Sequence, residues 1–266
     1  MLSSGVRRAV KAWTVLVLVF LYAPMLLVVV NAFNKSRTFS FPPTGFTLRW
    51  WADTWNSTGM WTSLGNSVVV GLCATAIALV LGTMAAFAVQ RYDFFGRNTV
   101  SFLVVLPITL PGIVTGIALN ATFTSVLGVT LGLATVIVGH ATFCIVIVFN
   151  NTQARLRRLG TSLDDASADL GASPWQTFRY VTFPMMRGAL VAGAILAFAL
   201  SFDEIVVTTF TAGPTVQTLP IWIFGNLFRP NQAPVINVVA AALTLVAIIP
   251  VWLAQRFGGD PATTRV

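Results

Sequence analysis

Residues Asp165–Pro184 read DASADLGASPWQTFRYVTFP, a polar island between long apolar runs. Two short helices fit this stretch. Ser162 lies three residues before Asp165, the spacing of a capping box, and Gly171 is suited to close the first helix in a left-handed turn. Ser173 followed by Pro174 fits an N-cap and first-turn proline for the second. Capped helices with charged faces are stable in water and costly in hydrocarbon. Flanked by apolar runs, this pair stands outside the bilayer, where a partner can reach it.

The flanks decide the class. Of 266 residues, 56% are hydrophobic and only 9% charged, too few for a soluble domain of this size. The chain therefore reads as an all-α polytopic membrane protein. About 20 apolar residues cross a bilayer as helix, and six stretches reach that length: about 12–33, 64–89, 99–124, 129–149, 188–210 and 235–255. They make one transmembrane domain over 1–266, with the polar segment 151–187 between the fourth and fifth spans. The first stretch is too long for a signal-peptide core and reads as an uncleaved span. Cys73 and Cys144 fall inside apolar runs, which predicts two buried thiols and no disulfide framework. Between the first two spans, Trp50, Trp51, Trp55 and Trp61 suggest a membrane–water interface, and Phe41-Pro42-Pro43 predicts irregular or extended backbone.

Charge asymmetry sets the expected orientation. With the N-terminus in the cytoplasm, that side receives Arg7, Arg8, Lys11, Arg91, Arg97, Arg155, Arg157, Arg158, Arg179, Arg187, Arg256 and Arg265. The other side receives Lys35, Arg37, Arg49 and Arg229. Twelve against four predicts cytoplasmic termini and a cytoplasmic polar island. The net charge of +8 is thus a topological signal, and nucleic acid is not an expected partner. The Arg155–Arg158 run reads as an anchor to anionic lipid.

Chemistry of its own is not legible in the chain. The only lysines are Lys11 and Lys35 and neither follows a glycine, so no phosphate-binding P-loop exists. A single histidine, His140, cannot form a metal cluster. No nucleophile–base–acid triad is apparent, so the chain reads as a conduit rather than an enzyme. Pro107 and Pro111, with Gly112 and Gly116, predict a kink or break near the cytoplasmic third of the third span, either a hinge or a packing accommodation. Asp203 and Glu204 lie in the apolar stretch LSFDEIVVTTF, roughly 6–8 Å past the midpoint of a 188–210 helix. Carboxylates there cost at least a few kcal/mol and are functional or paired. As neighbours on a helix they would point about 100° apart, so two readings stand: a cation pathway for one with backbone or a neighbouring chain for the other, or a structural or subunit-interface role. Ser201 is a further pathway candidate. His140 is a possible partner for the acids or a packing residue. The segment 211–234, with four prolines around Ile221–Phe224, reads as an outer loop that can dip back into the membrane.

The island also carries a family pattern. Asp165-Ala166-Ser167, three residues, Gly171, nine residues, then Val181-Thr182-Phe183-Pro184 resembles the E-A-A…G…I-x-L-P signature of ABC importer permeases. Asp replaces Glu, Ser replaces Ala, Val replaces Ile and Phe replaces Leu, with the spacing intact. FSFPPTGFTLRW, LPITLPGIVTGIAL and SFDEIVVTTFTAGPTVQTLPIWIF extend the resemblance along most of the chain. It looks like the polyamine (spermidine/putrescine) branch, and within it like the second permease subunit.

That resemblance implies a type I ABC importer permease with six transmembrane helices in the bacterial cytoplasmic (inner) membrane. It implies a second homologous permease subunit, a dimer of ATP-binding subunits that hold the ATP and magnesium, and an extracytoplasmic substrate-binding protein. This chain would bind no cofactor. Asp165, Ala166, Ser167, Asp169, Gly171 and Pro184 would form the element docking on the ATPase. Asp203, Glu204, Ser201 and Trp50 would lie along a cation pathway, with Trp50 supplying either cation–π contact or an interface anchor. The alternatives are an importer of the same type for another small solute, or an ion-gradient-driven carrier, which would have no use for a docking signature.

Overall fold

The structure is a computed structural model that describes residues 4–229 and 231–257, with side chains to residue 247. Arg265 and Pro230 lie outside the described residues, as does the side chain of Arg256. The described residues are largely helical and contain no strand. In chain order the helices are α1 (Ser4–Asn31), α2 (Arg49–Trp55), α3 (Thr58–Arg91), α4 (Arg97–Thr109), α5 (Gly112–Ala121) and α6 (Leu133–Leu159). They continue with α7 (Ser162–Asp169), α8 (Pro174–Thr177), α9 (Phe183–Phe202), α10 (Val206–Thr211), α11 (Leu219–Leu227) and α12 (Ala233–Phe257). π-Helical turns occupy Thr122–Val126 and Phe178–Thr182.

Four helical runs are long and apolar enough to cross a membrane: Gly5–Asn31, Thr58–Arg91, Leu133–Leu159 and Pro174–Phe202. The pair Arg97–Thr109 and Gly112–Val126 passes the same test only as one unit bent by 105°. The described apolar part of α12, Ala233–Ala247, is shorter. Among the described residues, four of the six spans expected from hydropathy are thus met, or five if the bent pair is one.

The chain forms two compact units, Met1–Thr58 with Ile223–Val266, and Gly59–Trp222. In the first, α1 and α2 pack on α12 around Ala32, Trp50, Val238 and Ala241. The irregular stretch after α1 winds around the buried Asn34 side chain. Its Nδ2 donates to Ser40, and its Oδ1 accepts from the backbone amides of Ser36 and Thr44. Phe41-Pro42 is cis.

In the second unit, α6 is the central post, packed along α9 and beside α4 and α10. Ala74, Ala78, Gly82 and Ala86, spaced by four on α3, are all buried and let its backbone approach α6 closely. A Cβ on Gly82 would sit 2.8 Å from the Ile145 carbonyl oxygen, so only glycine permits this contact. Cys144 is buried as expected, whereas Cys73 is exposed on the outer face of α3. Periodicity within a uniformly apolar run does not reveal which face meets the neighbour.

Two boundaries differ from the sequence reading. The break in the third span falls at Leu110-Pro111, the middle of 99–124 rather than its cytoplasmic third, and Pro107 stays inside α4. Leu110 is extended (ψ 144°), as steric conflict with the following proline ring demands. The helix of span four runs to Leu159, well past 149, and carries Arg155, Arg157 and Arg158 in its final turns. Arg155 Nε donates to the Met185 carbonyl at 3.0 Å, so this residue of the presumed lipid anchor ties α6 to α9.

Candidate functional site

The polar island follows its punctuation at Gly171 and Ser173. α7 ends in a Schellman motif: the Ala172 amide donates to the Ser167 carbonyl at 3.1 Å and the Gly171 amide to the Ala168 carbonyl at 2.8 Å. Gly171 adopts φ +80°, and no atom lies within 4 Å of where its Cβ would be. Its requirement for glycine is therefore conformational and not steric. Ser173 caps α8, with its amide donating to Gln176 Oε1 at 2.7 Å and its hydroxyl accepting from the Gln176 amide. The start of α7 differs: the N-cap is Thr161, without a side-chain bond, and Ser162 lies inside the first turn. Asp164 and Asp165 there face the positive end of the helix dipole.

α8 is not an independent helix. It runs through the π-turn at Phe178–Thr182 into α9, a continuous helical run from Pro174 to Phe202. Pro184 cannot donate to the carbonyl one turn back, and the wider π-turn just before it accommodates the missing bond without a break. Asp165, Ala166 and Asp169 are exposed, as are Gly171 and Pro184, and Ser167 bonds the Thr177 hydroxyl at 2.9 Å. Leu170 (89% exposed) and Trp175 (69%) extend an apolar surface beside these carboxylates.

The acidic pair does not lie on a continuous helix. α9 stops at Phe202, α10 starts at Val206, and Asp203–Ile205 form the break between them. Asp203 is exposed and Glu204 half-buried. Glu204 Oε1 accepts the Val207 amide at 2.9 Å, a cap on the first turn of α10. His140, wholly buried on α6, spans the break. Its Nδ1 lies 2.7 Å from Ser201 Oγ on α9 and its Nε2 lies 2.7 Å from Thr208 Oγ1 on α10. The Thr208 hydroxyl donates to the Glu204 carbonyl at 2.8 Å. It therefore accepts from His140, which places the ring proton on Nε2 and leaves Nδ1 to accept from Ser201. His140 is thus a bonded partner of the break and does not pair with either carboxylate. The expected 100° divergence of Asp203 and Glu204 does not apply where the helix is interrupted.

α10 is seated against α5 as well. The Asn120 amide donates to the Phe210 carbonyl at 2.6 Å, and a Cβ on Gly116 would come within 2.6 Å of the Phe210 ring. Thr135 closes the other side, donating to the Thr211 carbonyl at 2.7 Å. Thr208, Asn120 and Thr135 escaped the sequence reading, because a lone hydroxyl or amide in an apolar run does not reveal its partner. Trp50 belongs to the first unit, where it is buried. Its indole donates to the Asn34 carbonyl at 2.8 Å, and the Arg49 guanidinium lies 5.3 Å from its ring centroid.

No group of three or more His, Cys, Asp or Glu residues suited to a metal occurs among the described residues. Residues 78–258 match the family described as binding-protein-dependent transport system inner membrane component. The chain is 33% identical over 258 residues to the putrescine transport system permease protein PotI of Escherichia coli K12, covering 92% of this chain and 91% of that one. It is 31% identical over 241 residues to the spermidine/putrescine transport system permease protein PotC of the same organism, covering 91% and 90%. Its fold is similar to a chain in the crystal structure of a bacterial ABC transporter involved in alginate import, with TM-score 0.73, 15% identity, and 97% and 99% of the two chains covered.

Proposed function

This chain belongs to the family of binding-protein-dependent transport system inner membrane components, and on that premise we propose that it is the permease subunit of an importer of putrescine and spermidine. The observation that carries the substrate class is the similarity to PotI and PotC along nine-tenths of the chain. The acidic break at Asp203-Glu204 supports it, since polyamines are multivalent cations and carboxylates in an apolar surround are retained for a use. In this reading Asp203 faces the pathway, Glu204 caps α10 and adds charge, and Ser201 acts through His140. Trp50, buried and hydrogen-bonded, is a structural residue.

Energy enters through Asp165–Pro184. The exposed acidic and apolar face of α7 and α8 docks on an ATP-binding subunit, with Asp165 and Asp169 meeting basic groups and Ala166, Ser167 and Gly171 permitting close approach. ATP and magnesium belong to that partner dimer. A second permease subunit completes the pathway, and a binding protein delivers cargo from outside. The architecture is type I with six spans, counting the bent α4–α5 pair as one and α12 as the sixth. Both termini are cytoplasmic on the arginine asymmetry.

Proteoliposomes holding the assembled complex and its binding protein should take up putrescine only with ATP inside. Uptake of another solute while putrescine and spermidine stay outside would overturn the polyamine assignment. ATP-independent uptake would favour a gradient-driven carrier.

A further inference from the structure

α7 buries none of its eight residues, so apolar packing does not fix it to the rest of its unit. A cavity of about 500 Å³ opens beside it, lined among others by Phe87, Tyr92, Ala168 and Phe178. Beyond the Ser167–Thr177 hydroxyl bond to α8, what ties it to α3 and α9 is one carboxylate. Asp164 Oδ2 lies 2.8 Å from Nη2 of Arg91, the last residue of α3, and the two side chains are only 28% and 13% exposed. The other arm of that guanidinium, Nη1, donates at 2.6 Å to the carbonyl of Gly160, the C-cap of α6 at φ +65°. Asp164 Oδ1 accepts the hydroxyl of Thr182 at 2.9 Å, a buried residue immediately before α9.

One arginine fork and one carboxylate thus join the ends of α3 and α6 to the starts of α7 and α9. An exposed ion pair on flexible side chains would contribute little rigidity. Here both partners are mostly covered and each makes a second bond, which confines the geometry.

We propose that Arg91, Asp164 and Thr182 form a strut that carries displacement of the docking segment into α3 and α9. They are positioning residues for transport and touch neither cargo nor nucleotide. This rests on the reading of Asp165–Pro184 as the ATPase-docking element. Without the strut, α7 stays joined to α6 through the backbone and to α8 through the backbone and the Ser167–Thr177 bond. A push would then swing it about Gly160 and leave α3 behind.

The test is the ratio of putrescine imported to ATP hydrolysed, in proteoliposomes of the full complex with its binding protein, for Arg91→Gln, Asp164→Asn and the double variant. Each single change should lower the ratio about fivefold while the ATPase still co-purifies, and the double should be no worse than the poorer single, because both remove one connection. An unchanged ratio in both singles, or losses that multiply in the double, overturns the strut. If the unaltered complex imports no putrescine, the cargo reading fails. The strut is then judged by binding-protein stimulation of ATP hydrolysis, which Arg91→Gln and Asp164→Asn should reduce to the same degree. If no ATPase co-purifies with the unaltered chain, the docking reading fails and the strut with it. Should the charge variants not assemble, Thr182→Val removes the bond to Asp164 together with a long 3.5 Å contact to the Thr177 carbonyl and should lower either readout about twofold. No change there overturns the three-way tie.

Discussion

The molecule interrupts two of its apolar helices by different means. Between α4 and α5 the cause is local: Pro111 lacks an amide hydrogen and forces Leu110 into an extended conformation, bending the pair by 105°. Between α9 and α10 neither proline nor glycine is present. Side chains there take over the backbone's bonding, with Glu204 accepting the Val207 amide and Thr208 donating to the Glu204 carbonyl. His140 then pins both sides from α6. The first break is written into covalent geometry and persists without a neighbour. The second depends on a residue from another helix, so it can respond to movement of that helix. A bond that tertiary structure makes can also be released by it.

His140→Leu removes both pins and leaves Ser201 to find another partner in an apolar surround. It should cost about 2–3 kcal/mol and reduce putrescine uptake about tenfold, read from thermal denaturation of the purified complex and from vesicle flux. Normal uptake in that variant would show that the α9–α10 break needs no tertiary support.

Gly116→Ala tests the opposite wall. The new methyl would lie 3.2–3.3 Å from Phe210 Cγ and Cβ, the root of that side chain, so α10 itself must shift. A loss of about 1–2 kcal/mol is expected, against little change for Gly112→Ala, whose Cβ would meet Val206 at an ordinary 3.7 Å. Equal thermal midpoints for the two variants would show that α10 is not seated against α5.

Glu204 separates charge from capping. Glu204→Ala should lose about 1 kcal/mol of stability together with uptake. Glu204→Gln keeps an acceptor for the Val207 amide and should lose uptake alone. If the glutamine variant transports normally, the carboxylate serves only as a cap. Pro111→Ala should have the smallest effect, below about 1 kcal/mol and within twofold in uptake, because α5 remains held by Asn120 and Gly116. A large loss there would invert the comparison and make the proline break the functional one.

Legibility in the sequence followed the range of the interactions. Gly171 as a left-handed helix end and the Ser173-Pro174 start were readable, since each depends on its own few residues. The beginning of α7 is not readable locally, because Ser162 offers a capping spacing that the chain does not use. Arg91 was visible only as a topological charge, and Asp164 carried no signal. Nothing local announces that residues 73 positions apart share a bond. Asp203 and Glu204 were recognisable as costly carboxylates, while their place at a helix break was not.

By itself the sequence determined a membrane-embedded helical protein, a polar segment of defined spacing, and a family. Those follow from hydropathy, charge asymmetry and local backbone preference, which act within a turn or a span. Tertiary structure alone decided that α9 stops at Phe202, that His140 bridges the gap, and that one carboxylate ties α7 to α3 and α9. Hydrogen bonds between side chains on different helices have no signature in either chain segment, because each donor finds its acceptor only once the helices are packed.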